Sequence, residues 1–130
     1  MDNPVNISGQ LLEDKVEDYC RENNISYQRA KPGAHAIDFI IETLHGKVFA
    51  DCTNQNSVGS VEEKLPHKLW KYHNKYGYSN VCIIKGDHKI SATVLMHCNE
   101  MARTKNFDLT FKSCEDFCNT LTTKEESFFE

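Results

Sequence analysis

From Leu11 to Asn23 the sequence LLEDKVEDYCREN returns to apolar residues at Leu12, Val16, Tyr19 and Cys20, one stripe of a helix. Ser8 stands where an N-cap would, and Glu13 and Asp14 fall early, where the helix dipole favours acids. Asn23-Asn24 ends this helix. Ile25 to Arg29 is a short β-like run, and Lys31-Pro32-Gly33 is a turn. Alternation then predicts a hairpin, with strands Ala36–Leu44 and Lys47–Cys52 joined at His45-Gly46.

After a polar loop, Thr53 to Ser60, a second helix is predicted over about Val61 to Tyr76. Ser60 and Glu63 have capping-box spacing, Pro66 asks for a place in the first turn, and Gly77 suits the end. Val81–Lys85 is an apolar run of central-strand type. Ser91 can cap a helix to about Thr104, with Val94, Leu95, Cys98 and Met101 inward. Phe107–Phe111 alternates as a strand, Cys114–Leu121 reads as a last helix, and the tail over about residues 122–130 is expected to fray unless Phe128 and Phe129 dock. The order α-β-β-β-α-β-α-β-α predicts an α/β (α+β) fold, a mixed sheet flanked by helices.

At 130 residues, 39% hydrophobic and 26% charged, the chain reads as one globular domain, residues 1–130. No apolar run approaches a membrane span, and MDNPVNISGQ lacks a basic, apolar signal region. An intracellular protein, cytoplasmic or nuclear and without a membrane partner, is the expectation. Six cysteines lie mostly within predicted elements, so reduced, buried thiols are expected. A zinc site of His97, Cys98, Cys114 and Cys118 is a weaker alternative, because Cys-x-x-x-Cys is loose spacing without a second tight pair.

The chemistry concentrates on the hairpin. With a two-residue loop at His45-Gly46, Leu44 pairs with Lys47, Glu42 with Phe49, Ile40 with Asp51 and Asp38 with Thr53. Paired residues share a face, so Asp38, Ile40, Glu42, Phe49, Asp51 and Thr53 fall on one side, and Ile37, Phe39, Ile41, Val48 and Ala50 on the other. Asp38 and Asp51 become diagonal neighbours, roughly 7–8 Å apart at Cα, which suits one shared cation. Simple solvation of an edge hairpin explains the acids less well, since Ile40 and Phe49 share their face.

These residues resemble the PD-(D/E)XK nuclease superfamily of restriction enzymes and Holliday-junction resolvases. Ile37-Asp38 matches the first acid, Asp51-Cys52-Thr53 the (D/E)-x-K element, and the first helix, with Gly9 and Glu13, the preceding element. The stretch NQNSVGSVEEKLPHK also resembles the loop and helix C-terminal to the motif in restriction-type members. The resemblance covers about Ser8 to Lys85. It implies a restriction-endonuclease-like αβββαβ core and Mg²⁺-dependent hydrolysis of phosphodiester bonds, with Mn²⁺ able to substitute.

By that resemblance Asp38 and Asp51 hold the metal, the backbone carbonyl of Cys52 adds a ligand, and Glu13 is an accessory acid. The family's lysine is replaced by Thr53, a neutral hydroxyl. Gln55 can position water, and Lys64 on the following helix is the preferred substitute for the missing charge. The alternative is a nuclease-fold module that binds nucleic acid with weakened or absent catalysis.

The net charge of −4 gives no overall attraction to nucleic acid, so local charge must provide it. Lys64, Lys68, Lys71 and Lys75 recur at helical spacing beside the stripe of Leu65, Leu69, Tyr72 and Tyr76. Lys68, Lys71 and Lys75 are candidate phosphate contacts, with Asn54, Asn56 and Ser57 near backbone or base edges. Arg29 and Lys31 are further candidates, and Trp70 is read as a packing residue. DNA is the expected partner, RNA the alternative, and a homodimer or a larger nuclease partner would complete a two-strand cut.

Overall fold

The computed structural model describes residues 4–31, 37–44, 46–53, 58–86, 90–123 and 128–129, with side chains described from residue 11 in the first helix and from residue 65 in the second. The elements are α1 (Pro4–Glu22), β1 (Tyr27–Arg29), β2 (Phe39–Thr43), β3 (Gly46–Thr53), α2 (Val58–Tyr76), β4 (Asn80–Lys85), α3 (Ala92–Lys105), β5 (Asp108–Ser113) and α4 (Cys114–Thr122). This is the element order expected from the pattern. One five-stranded sheet has the order β1-β2-β3-β4-β5. The first two pairings are antiparallel and the last two parallel, so the sheet is mixed.

Helices cover both faces. On one, Leu12, Val16 and Cys20 of α1 and Phe117 and Leu121 of α4 pack on Phe39, Ile41, Val48, Ala50, Cys82 and Ile84. On the other, Leu65, Leu69 and Tyr72 of α2 and Val94, Cys98 and Ala102 of α3 pack on Val81 and Ile83, with Ile40 and Phe49 against them. Ile37 joins this second cluster rather than the first, because it precedes β2 and escapes the strand's alternation. Fully burying a large aliphatic or aromatic side chain contributes about 1.5–3 kcal/mol, so each face holds its helices firmly.

Two helix starts differ from the sequence pattern. α1 begins at Pro4, placing Ser8 inside it; proline suits a first helical position, where its missing N–H has no partner to lose. α2 begins at Val58, so Ser60 is interior and Pro66 lies well past the first turn. An interior proline costs about 3 kcal/mol, which burial of Leu65, Leu69 and Tyr72 outweighs. Ser91 caps α3 as expected, accepting from the Val94 N–H at 3.2 Å. At the tail, Phe128 is buried against Phe117, ring centroids 5.2 Å apart, so that residue docks rather than frays.

The hairpin register is shifted. Thr43 pairs with Gly46, Glu42 with Lys47, Ile40 with Phe49 and Phe39 with Ala50. Gly46, at φ +108°, thus opens β3 instead of standing in the turn. A shift of the pairing sum by two preserves which residues share a face. It changes who stands opposite whom: carried one residue further, it sets Asp38 directly against Asp51.

Candidate active site

Asp51 lies on β3, the central strand, paired in parallel with Ile83 of β4, and is 1% exposed. Asp38 sits just ahead of β2, where its carbonyl accepts from the Ala30 N–H and prolongs the β1–β2 ladder. The two acids are joined through backbone. The Cys52 N–H donates to Asp38 Oδ2 at 2.9 Å, and the Asp38 N–H approaches Asp51 Oδ1 at 3.4 Å. A carboxylate buried under α2 is not the solvated face of an edge hairpin.

Two side chains of α2, one turn apart, converge on Asp51. Lys68 Nζ donates to Oδ2 at 3.1 Å, and the Tyr72 hydroxyl donates to Oδ1 at 3.1 Å. Helical i, i+4 spacing lets both reach one carboxylate. Lys68 is thus turned inward on the acids rather than standing in a free basic row. Lys71 is half-buried, and Lys75 lies exposed with its ammonium 5.5 Å from the Tyr76 ring centre. Lys64 belongs to α2, one turn before Lys68, but its side chain is outside the described residues, as are Asn54, Gln55, Asn56 and Ser57.

Electrostatics mark the pair. Burial, then the neighbouring Asp51 charge, pushes Asp38 up to about 8, since two close carboxylates resist ionising together. For Lys68, burial acts to lower its pKa, but the charge and hydrogen bond of Asp51 prevail and raise it. Burial and the same carboxylate raise Tyr72, keeping its hydroxyl a donor. The site therefore combines a carboxyl that holds a proton near neutrality with an ammonium held beside its partner.

Glu13 lies at the margin. Burial raises its pKa while Arg29 opposes this, and the charges of Asp51 and Lys68 also reach it. Its carboxylate is 3.7 Å from Arg29, which also binds Asp14 at 2.9 Å and Glu17 at 3.1 Å. Arg29, a candidate phosphate contact by sequence, is instead clasped by three acids of α1. Thr53 ends β3 opposite Lys85, and its carbonyl accepts from the Gly86 N–H at 2.9 Å.

The four residues of the zinc alternative do not meet. Cys98 is buried beneath α3 on one face, whereas Cys114 and Cys118 belong to α4 on the other. Among the described residues no group of three or more His, Cys, Asp or Glu side chains is arranged to hold a metal. Any cation at the acids would accordingly rest on two carboxylates, completed by backbone and water oxygens. Trp70 is 45% exposed, with the His67 ring stacked 6.2 Å away, so it is a surface residue rather than a packing one.

Tyr72 was legible only as part of an apolar stripe. The usable signal was its spacing of four from Lys68 on a helix following the acids.

The fold is similar to that of a known nuclease. A structure of the restriction endonuclease FokI bound to DNA matches with a TM-score of 0.54 and 12% sequence identity, over 86% of this chain. The chain spans 24% of that protein's length. The mixed sheet with its flanking helices is thus restriction-endonuclease-like in fold. No family model matches the sequence, and no curated protein matches it. No helix among the described residues is long and apolar enough to cross a membrane.

Proposed function

We propose that the chain is a metal-dependent endonuclease that hydrolyses phosphodiester bonds in DNA, with Lys68 supplying the charge that Thr53 lacks. The observation that carries this reading is the pairing of half-buried Asp38 with buried Asp51, with Lys68 Nζ 3.1 Å from Asp51. The DNA-bound restriction endonuclease of similar fold supports DNA as the substrate.

The donor set suits Mg²⁺, which binds through one or two carboxylates and keeps several waters. Asp38 and Asp51 would hold it, with the carbonyl of Cys52 as a further oxygen. When bound, the cation supplies phosphate polarisation and lowers the pKa of a bound water. The protein's own contributions are separate. Lys68 offers its ammonium to the non-bridging phosphate oxygens, where negative charge grows. Tyr72 fixes Asp51 by donating to Oδ1, and the Cys52 N–H fixes Asp38. Glu13 stands as an outer acid, restrained by Arg29. Lys71, Lys75 and the polar residues Asn54, Asn56 and Ser57 would follow the backbone, with Gln55 or Lys64 assisting at the site. Cutting both strands would use a second copy or a larger partner.

The test is nicking of supercoiled plasmid in Mg²⁺ or Mn²⁺. Wild type should nick, Asp38→Asn and Asp51→Asn should not, and Lys68→Met should lose at least tenfold. Thr53→Lys should restore activity in the Lys68→Met background. Loss with Lys64→Met but not Lys68→Met would return the role to Lys64.

One observation favours a second reading, a binding module without catalysis. Both oxygens of Asp51 already accept from Lys68 and Tyr72, which competes with a cation. DNA that quenches the fluorescence of Trp70, the sole tryptophan, without nicking in either metal would select this reading.

A further inference from the structure

On the α1–α4 side of the sheet lies a cavity of about 620 Å³, lined by Lys15 and Tyr19 of α1, Lys85 of β4, Ser113, and the two thiols Cys114 and Cys118. Four of the six cysteines, Cys20, Cys52, Cys82 and Cys98, are core or near-core side chains without a place on this cavity. Cys114 is different in three respects. It lines open space, it is the first residue of α4, and the Cys118 thiol one turn on hydrogen-bonds to it. Ser113 caps the helix, its Oγ accepting from the Asp116 N–H at 3.1 Å.

We propose that Cys114 is a peroxide-reactive thiol and that Cys118 resolves its oxidised form. The Cys114 thiolate attacks the outer oxygen of a hydroperoxide. The O–O bond breaks, sulfur is oxidised to sulfenic acid, and the peroxide leaves as an alcohol or water after taking a proton. The Cys118 sulfur then attacks that sulfenic sulfur. A disulfide forms, and hydroxide departs as water with the Cys118 proton.

The cavity admits a small hydroperoxide to both sulfurs. Lys15 favours the thiolate electrostatically, and Glu115, also on the cavity, is the acid nearest in sequence. Hydrogen bonding from Cys118 is the largest influence on Cys114, bringing it down to about 7 against the opposing effect of burial. The same bond and burial raise Cys118, which keeps it the protonated partner. An i, i+4 pair in an intact helix holds its β-carbons wider apart than the 3.5–4.5 Å of a disulfide. Because Cys114 begins α4, only the first turn must loosen to close the bond.

The lowered pKa gives Cys114 more thiolate at neutral pH than a free cysteine has, at some loss of intrinsic nucleophilicity. The experiment treats the full chain at pH 7 with limiting tert-butyl hydroperoxide, then maps thiols by alkylation and mass spectrometry. The expected product has a Cys114–Cys118 disulfide before any other thiol is lost. Cys118→Ala should stop at a Cys114 sulfenic acid trapped by dimedone, and should move the midpoint pH of Cys114 alkylation upward. First oxidation at another cysteine, or Cys114 alkylation in the native chain no faster than in denaturant, would overturn the proposal. Wild-type mapping alone decides it should a variant fold poorly. The proposal does not rest on nuclease activity.

Discussion

The two faces of the sheet are built alike and used differently. Under α1 and α4 the strands present Phe39, Ile41, Val48, Ala50, Cys82 and Ile84, an uncharged surface filled by Phe117 and Leu121. Under α2 and α3 the same strands present Ile40, Phe49, Val81 and Ile83, and among them Asp51. Both faces are closed to water, yet only one has admitted a carboxylate. A burial that costs free energy on its own is tolerated there because Lys68, Tyr72 and the Asp38 backbone satisfy it. One face is filled by apolar side chains, and the other makes room for a buried carboxylate together with its hydrogen-bond partners.

The largest expected effect tests the apolar face. Phe117→Ala removes a fully buried ring and should cost about 3–5 kcal/mol by urea unfolding, because the cavity collapses only in part. A cost below 1 kcal/mol would contradict the picture of a close-packed face.

Next comes the acidic face in its metal-free form. Asp38 titrates near 8 in the folded protein against 3.8 for the ordinary group. Its protonated form therefore adds stability that is full below pH about 4 and lost as pH rises through about 8. Thermal melts in chelator should fall by several degrees from pH 5 to 9, and Asp38→Asn should flatten the trend. Mg²⁺ should raise the melting temperature more at pH 9 than at pH 5. A flat wild-type profile would show that the acids do not repel.

A smaller change separates charge from packing. Lys68→Met keeps the aliphatic stem and removes the ammonium; with the Lys68 side chain 41% exposed, stability should change by about 1 kcal/mol or less. Urea midpoints measure this, and a loss above 3 kcal/mol would make Lys68 chiefly a structural partner of Asp51. Of similar size are the caps, one for each face. Ser91→Ala and Ser113→Ala should each cost about 1 kcal/mol, since each removes one acceptor from a helix N-terminus. Unequal costs would show that one face holds its helix less tightly.

How much of this could be read in the sequence depends on which interactions are local. Pattern located the nine described elements, because a helix with one buried stripe repeats at 3.6, a half-buried strand alternates, and a strand buried on both faces reads as one apolar run. The shared face of Asp38 and Asp51 was also legible, since it depends only on the parity of the hairpin. The register itself was not. Pairing Leu44 with Lys47 rather than Thr43 with Gly46 moved every pair by two, and nothing local distinguishes those choices beyond Gly46 at positive φ. The partners Lys68 and Tyr72 depend on how α2 lies across β3, which is a tertiary matter. The capture of Arg29 by Glu13, Asp14 and Glu17 likewise depends on α1 docking beside β1.

The strand order β1-β2-β3-β4-β5 carries one more consequence. Every neighbour in the sheet is also the neighbour in sequence, so no strand must wait for a distant one before it can pair. Such an order keeps loop closures short and favours rapid folding. It also means that the hairpin with the two acids is synthesised before α2 with Lys68, and both before β5 and α4 at the far edge.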